Sequence, residues 1–155
     1  MDKLIAKLID RRQIKKEEIG FDQILKHINR AFLDLKAAEG NFQIDYVISY
    51  GCSYSAMLKS GRALMFLFGY RPTDGQQHKT VVLFCKKALG ENFAKLVAKF
   101  DDMRNLRNKF TYDEPGIQVS EQEAKQAFVS AKEFVTSIYD FIEKKNPQIK
   151  LIKNN

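Results

Sequence analysis

Apolar side chains recur every three or four residues through most of this 155-residue chain, which is the spacing of one face of an α-helix. No stretch alternates apolar and polar residues as a half-buried strand does. The longest stripe follows a capping box, in which Ser120 caps the helix and Glu123 lies three residues further on. The pattern predicts an all-α protein, an antiparallel up-and-down bundle of four to five helices with short connections.

The ends of the other long helices are also marked in the sequence. Asp22 is predicted to cap a first long helix, which Gly40 and Asn41 end. A second long helix is predicted over residues 45–68, and a shorter one over about residues 76–89. These boundaries predict helices that pack as antiparallel neighbours.

The second long helix contains two glycines, Gly51 and Gly61, among small side chains. Each glycine destabilises a helix by up to ~1 kcal/mol relative to alanine. Close packing would offset this loss. The sequence therefore predicts an unusually near approach of a neighbouring helix, in the same subunit or across a dimer.

The helix that follows Gly90 carries arginine in line with its apolar face. Its apolar stripe consists of Phe93, Leu96, Val97, Phe100 and Met103. Arg104 and Arg107 continue this stripe, and Arg107 is only about 20° of rotation from Phe100. One interpretation is that this end of the helix is exposed, so that the cations complement the negative C-terminal dipole. The other is that Arg107 faces a polar cleft, a second helix or subunit, or an anionic ligand, because an unpaired charge in a core is too unfavourable.

The net charge of +7 belongs to the ends of the chain. Residues 1–16 carry six basic and two acidic side chains, and residues 143–155 carry four and one. Residues 17–142 contain sixteen of each sign. The basic ends are therefore interpreted either as solvated tails or as phosphate-binding arms of a neutral domain.

Several common kinds of catalytic site are excluded by the absence of their motifs. The chain has no phosphate-binding loop, dinucleotide fingerprint, zinc-protease helix or serine-hydrolase elbow. Asp101 and Asp102 are consecutive, so on a helix they point about 100° apart and cannot face each other. Cys52 and Cys85 occur singly and are predicted to be reduced, buried, small apolar residues. No metal or cofactor is expected.

The chain also lacks the pattern of a membrane or secreted protein. Its longest uninterrupted apolar run, residues 63–68, is far shorter than the ~20 residues that a membrane span requires. Residues 1–10 are too polar for a signal peptide. A cytoplasmic protein is expected.

Four segments together are typical of one known family. They are S-Y-S-A-M-L-K-S-G-R-A-L-M from Ser53 to Met65, G-Y-R-P followed by His78, R-N-L-R-N-K-F-T-Y-D at residues 104–113, and the capped final helix at residues 120–142. In this order they resemble the tyrosine-containing helix, the turn with a histidine after it, the signature segment and the closing helix of the HEPN superfamily. On this resemblance the chain is identified as a member of the HEPN superfamily, of a branch that lacks the usual signature histidine.

The resemblance implies an organisation and a set of partners. Residues 22–143 would form the HEPN-like bundle, residues 1–21 a basic N-terminal helix and linker, and residues 144–155 a basic C-terminal tail. HEPN domains usually form homodimers in which the signature segments of both subunits line one cleft. Many are metal-independent ribonucleases or RNA-binding relatives, often paired as toxin and antitoxin with a small nucleotidyltransferase.

The ribonuclease signature of the family is an arginine, a polar residue, and a histidine four to six positions beyond the arginine. Arg107 and Asn108 match it, but Tyr112 is the fifth residue after the arginine and no histidine follows. A histidine, with a pKa of ~6.5, can take the 2′-hydroxyl proton of RNA, whereas a tyrosine, at ~10, is protonated at neutral pH. The resemblance thus makes Arg107, Asn108 and Tyr112 candidates for a degenerate catalytic site. With Arg104 and His78 they are candidates for binding RNA or a nucleotide.

Three functions remain open at this point. The first is a dimeric module that binds RNA or a nucleotide, which the missing histidine favours. The second is a partner-binding or structural helical module without nucleic-acid binding, and the third is a metal-independent endoribonuclease. Binding of single-stranded RNA distinguishes the first from the second, and cleavage of RNA in EDTA identifies the third.

Overall fold

The computed structural model describes residues 2–73, 75 and 77–146. This part of the chain forms six α-helices and two strands of three residues each. The helices are α1 (Asp2–Asp10), α2 (Phe21–Gly40), α3 (Tyr46–Leu67), α4 (Gln77–Leu89), α5 (Ala94–Asn108) and α6 (Glu121–Lys145), and the strands are β1 (Ile14–Lys16) and β2 (Tyr70–Pro72). Short 3₁₀ turns precede α3, at Asn41–Gln43, and α5, at Glu91–Phe93. The predicted all-α class is confirmed, and α2 to α6 correspond to the expected bundle.

Helix α3 is the central helix of the bundle. It packs mainly against α2 and α6, and its other sides contact α4 and α5. It begins where the sequence predicts, because the Asp45 carboxylate accepts hydrogen bonds from the backbone N–H groups of Val47 (2.8 Å) and Ile48 (3.1 Å). Gly69, whose φ of +79° is unfavourable for other residues, follows its C-terminal end. Because neighbours surround α3, most of its serines and both of its alanines are buried along with its large side chains.

The predicted close approach to α3 occurs at one of its two glycines. A Cβ atom at Gly61 would lie 2.6 Å from Cγ1 of Val81 and 3.0 Å from Sγ of Cys85, both on α4. At Gly51 a Cβ atom would have no neighbour within 4 Å. The close contact at Gly61 is therefore made within the chain, to α4.

Gly61→Ala should reduce the free energy of unfolding by roughly 1–3 kcal/mol, because the added methyl overpacks against Val81, whose branched side chain is fully buried. This loss should exceed the gain of up to ~1 kcal/mol in helix propensity. The matched variant Gly51→Ala should stabilise the protein, since no neighbouring element comes within 4 Å of its methyl. Urea unfolding of both variants measures the difference. A Gly61→Ala protein as stable as Gly51→Ala would show that α4 does not pack tightly there.

The start of α2 corrects one expectation. Asp22 was expected to be the cap, but the capping position is occupied by Gly20. This end of the helix therefore has no hydrogen bond from a capping side chain. Asp22 lies in the first turn of the helix. There its negative charge still interacts favourably with the helix dipole.

Helix α1 ends without a glycine. Arg12 adopts a left-handed conformation, with φ +54°. The backbone N–H of Gln13 donates to the carbonyl oxygen of Leu8 at 2.9 Å. The backbone N–H of Arg12 donates to the carbonyl oxygen of Ile9, also at 2.9 Å. This pair of bonds is the Schellman arrangement that commonly ends helices. The chain is thereby directed into β1.

The segment after α1, which the sequence suggested to be a charged link, contains β1. This strand pairs antiparallel with β2, with Lys15 opposite Arg71. The N-terminal segment packs onto the bundle, since Ile5, Leu8 and Ile14 are buried in the main hydrophobic core. Strands of three residues are too short to show an alternating pattern, which explains why the sequence did not reveal them.

The final helix agrees with its predicted boundaries. The Ser120 hydroxyl accepts a hydrogen bond from the Glu123 backbone N–H (3.1 Å), and the Glu123 carboxylate accepts one from the Ser120 N–H (3.2 Å). The helix ends before Asn146. Of the predicted basic tail, residues 144–155, the part beyond Asn146 lies outside the described residues. In the described part of the chain, no helix is both long and apolar enough to cross a membrane.

The two cysteines occupy different environments. Both are free. Cys85 is fully buried, and burial raises the pKa of its thiol. Cys52 is only half-buried, which corrects the expectation that both would be core residues.

Candidate functional site

A cleft of about 400 Å³ lies between the first turn of α4 and the end of α5. It is lined by Gly75, Gln77, His78, Lys79, Arg104, Arg107, Asn108 and Tyr112. The cleft therefore brings together all five ligand-binding candidates from the sequence, which are His78, Arg104, Arg107, Asn108 and Tyr112. A larger groove of about 1190 Å³ between the N-terminal parts of α5 and α6 contains none of them.

A single π-helical turn, Lys109–Asp113, follows α5 and forms one side of the cleft. The backbone N–H of Glu114 donates to the carbonyl oxygen of Lys109 at 2.7 Å, five residues earlier. In a regular α-helix, side chains five residues apart point about 140° away from each other. The wider turn directs Tyr112 back over Arg107, with the guanidinium carbon 5.4 Å from the ring centroid. Isolated π-helical turns are frequent at functional sites.

Arg107 is half-buried and points into the cleft. Its Nη1 lies 3.4 Å from both the Asn108 Oδ1 and the Tyr112 hydroxyl, which are long hydrogen bonds to neutral oxygens. Its guanidinium carbon also lies 5.8 Å from the ring centroid of Tyr54. Within the described residues Arg107 makes no ion pair. Of the two interpretations of Arg107, the geometry corresponds to the polar cleft and not to an exposed helix end.

Arg104 is held differently from Arg107. Its Nε donates to Oδ1 of Asp101 at 2.9 Å, three residues earlier on α5, and its side chain is only 15 % exposed. The carboxylate partly compensates this charge and holds the guanidinium in place. The charge of Arg104 is therefore partly neutralised by Asp101, whereas the described partners of Arg107 are all neutral.

His78 lines the cleft from the first turn of α4, and Tyr54 on α3 lies behind it. The Tyr54 hydroxyl is 2.8 Å from Nδ1 of His78, and Tyr54 is only 2 % exposed. Burial, with the nearby positive charges of Arg62, Arg107 and Arg104, lowers the pKa of His78 to about 4. Burial raises the pKa of Tyr54 to about 12. Both groups are consequently uncharged at neutral pH.

Sequence reasoning did not identify Tyr54, Lys79 or Arg62 as parts of this site. Tyr54 lies on the buried side of α3, where its hydroxyl must find a hydrogen-bond partner, and this requirement was the signal that could have identified it. Lys79 is adjacent to His78, and Arg62 reaches the edge of the cleft, where its Nη2 lies 3.3 Å from Oε1 of Gln77. The cationic character of the cleft is therefore greater than the sequence suggested.

The model of the HEPN domain family matches residues 24–144, more than half of the chain. This chain belongs to the HEPN family. The matched region contains α3, α4 and α5, nearly all of α2 and α6, and every described residue of the cleft. No curated protein matches the chain at a significant level. The family resemblance inferred from the sequence is confirmed.

The HEPN cleft contains groups that suit an anionic ligand. It offers two guanidinium groups, one ammonium group, a neutral imidazole and an exposed tyrosine ring. None of its described lining residues is acidic. Among the described residues no group of three histidine, cysteine or carboxylate side chains could hold a metal ion. Guanidinium groups bind the oxygens of phosphates and carboxylates better than other ligand atoms.

Proposed function

We propose that this HEPN protein binds RNA or a nucleotide in the cleft and does not cleave it. The observation that carries this proposal is Arg107, a half-buried guanidinium whose described partners are neutral oxygens and aromatic rings. A phosphate would replace those long hydrogen bonds with short, charge-assisted ones, which are roughly twice as strong. Arg104 and Lys79 add positive charge beside it.

Tyr112 supports the binding of a base next to that phosphate. Its ring is 70 % exposed and lies against the Arg107 guanidinium. Nucleic-acid binding proteins commonly stack unpaired bases on such rings. A single-stranded nucleotide could therefore place its phosphate on Arg107 and its base on Tyr112.

The protonation state of the cleft favours binding over cleavage. The position five residues after Arg107 carries Tyr112 instead of the signature histidine. The imidazole that lines the cleft, His78, has a pKa of about 4, and its Nδ1 contacts the Tyr54 hydroxyl. A base this weak removes a 2′-hydroxyl proton poorly. RNA should stay intact in EDTA, and cleavage that Arg107→Ala abolishes would instead identify a ribonuclease.

Tyr112→Ala should weaken binding of a fluorescently labelled single-stranded RNA by roughly tenfold, because one stacked base contributes about 1–3 kcal/mol. Tyr112→Phe is the matched control, since it keeps the ring and removes only the hydroxyl. Fluorescence anisotropy measures both affinities, and circular dichroism checks that the helices are retained. Equal losses in the two variants would assign the effect to the hydroxyl and argue against stacking.

The proposal includes the assembly that the family resemblance implies. It describes a cytoplasmic homodimer, paired with a small nucleotidyltransferase in a toxin–antitoxin-like system. Light scattering over a range of protein concentrations tests the dimer. Co-expression with the nucleotidyltransferase and purification of the complex test the partner.

A further inference from the structure

The contact between Tyr54 and His78 determines which nitrogen of the imidazole carries its proton. Within the described part of the chain, the Tyr54 hydroxyl has no hydrogen-bond acceptor other than Nδ1 of His78. If Nδ1 carried the proton, the buried tyrosine hydrogen would have no acceptor, which is unfavourable by about 1–3 kcal/mol. Tyr54 must therefore donate to Nδ1, and the proton of the neutral ring must be on Nε2.

We infer that His78 is a phosphate-binding residue of this cleft, donating from Nε2–H to a non-bridging phosphate oxygen, and that Tyr54 is the positioning residue that fixes this tautomer. The inference rests on the proposed function. The phosphate would receive hydrogen bonds from two helices, from Arg107 and Arg104 on α5 and from His78 on α4. All three donors line the same cleft of about 400 Å³.

The charges around His78 explain why this donor is neutral. Among the described residues, the charged groups that act on His78 or line the cleft beside it are Arg62 on α3, Arg104 and Arg107 on α5, and Lys79 on α4. All of these are positive, and the Asp101 carboxylate nearby is paired with Arg104. Tyr54, which contacts the ring, is uncharged at neutral pH because burial raises its pKa to about 12. A protonated imidazole would add a further positive charge to this group, whereas a neutral Nε2–H donates without repulsion. Tyr54 keeps that proton on the side of the ring away from itself.

The first test measures the tautomer in the unliganded protein. Nitrogen-15 NMR of the imidazole should show the Nε2–H tautomer in the wild-type protein and a mixture of tautomers in Tyr54→Phe, which keeps the buried ring but removes the donor. An Nδ1–H tautomer in the wild-type protein would overturn the inference. This measurement needs no ligand, so it does not depend on the proposed function.

The second test measures binding of a short single-stranded RNA without terminal phosphates. His78→Ala should weaken binding by about tenfold, and Tyr54→Phe by less. His78→Gln should keep part of the affinity, because its amide N–H lies near the position of Nε2. His78→Asn is the matched control, since its amide reaches only the position of Nδ1, and it should behave like His78→Ala.

The third test uses pH. Wild-type affinity for this RNA should be constant between about pH 5 and 8, because His78 stays neutral and phosphodiesters do not titrate there. Affinity that rises as the pH falls through about 6.5 would indicate a protonated histidine and contradict the inference. Unchanged binding by His78→Ala, together with loss in Arg107→Ala, would overturn the role of His78 and leave the proposed function standing. Absence of wild-type binding would overturn both.

Discussion

Arg107→Ala is expected to weaken binding of single-stranded RNA by roughly 10- to 100-fold, because a charge-assisted hydrogen bond contributes about 1.5–3 kcal/mol. The same change should leave the thermal midpoint nearly unaltered. Arg107 makes no ion pair with a described carboxylate, and its hydrogen bonds to Asn108 and Tyr112 are long. Removal of a residue used for ligand binding reduces affinity, whereas removal of a partner in a buried ion pair reduces stability.

Lys109→Ala is the matched control for this prediction. Lys109 is exposed, lies two residues beyond Arg107 and does not line the cleft, yet its loss changes the net charge equally. Anisotropy titrations at several salt concentrations should show a salt slope about one unit smaller for Arg107→Ala, since one phosphate contact is lost. Equal effects of the two variants would indicate a general electrostatic field in place of a site. A loss of several kcal/mol in stability with unchanged binding would show that Arg107 is a structural residue.

Phe134→Ala is expected to reduce the free energy of unfolding by roughly 3–5 kcal/mol, the usual effect of truncating a fully buried phenylalanine. Phe134 on α6 is 0 % exposed, and its ring centroid lies 5.1 Å from that of Phe100 on α5. Phe100 in turn lies 5.8 Å from the ring of Tyr54. The three rings connect the core to the tyrosine behind His78, so this packing also supports the cleft.

Val129→Ala on the same helix is the control for the core prediction. Val129 is 63 % exposed, and its truncation should change stability by no more than about 0.5 kcal/mol. Urea unfolding of both variants, followed by circular dichroism, gives the comparison. Similar losses in the two variants would contradict the placement of α6 against α5 and α3.

Much of the fold was predictable because helices are specified by local signals. Ser120 and Glu123 form the predicted capping box of α6, and Asp45, the first residue of the range predicted for α3, caps that helix. Asp22 is also a residue type that commonly caps helices, but it lies in the first turn of α2, and Gly20 occupies the capping position. The short pairing of β1 with β2 could not be predicted, since hydrogen bonds between distant backbones leave no pattern in three residues.

The chemical groups of the candidate site were also present in the sequence. The helical spacing placed Arg104 and Arg107 in line with the apolar stripe of α5, and the HEPN resemblance singled out Asn108, Tyr112 and His78. The spacing could not show that Tyr112 returns to Arg107, because residues five apart on an α-helix point away from each other and only the π-helical turn reverses this.

The sequence by itself determined the helices, their capped ends and the side chains available for binding, since these depend on residues a few positions apart. Only the tertiary structure decided that the first turn of α4 meets the end of α5, so that His78 and Arg107 share one cleft. It also decided that Tyr54, from a third helix, hydrogen-bonds to His78. These contacts join residues more than twenty positions apart, and they follow from how the helices pack, which local spacing does not encode.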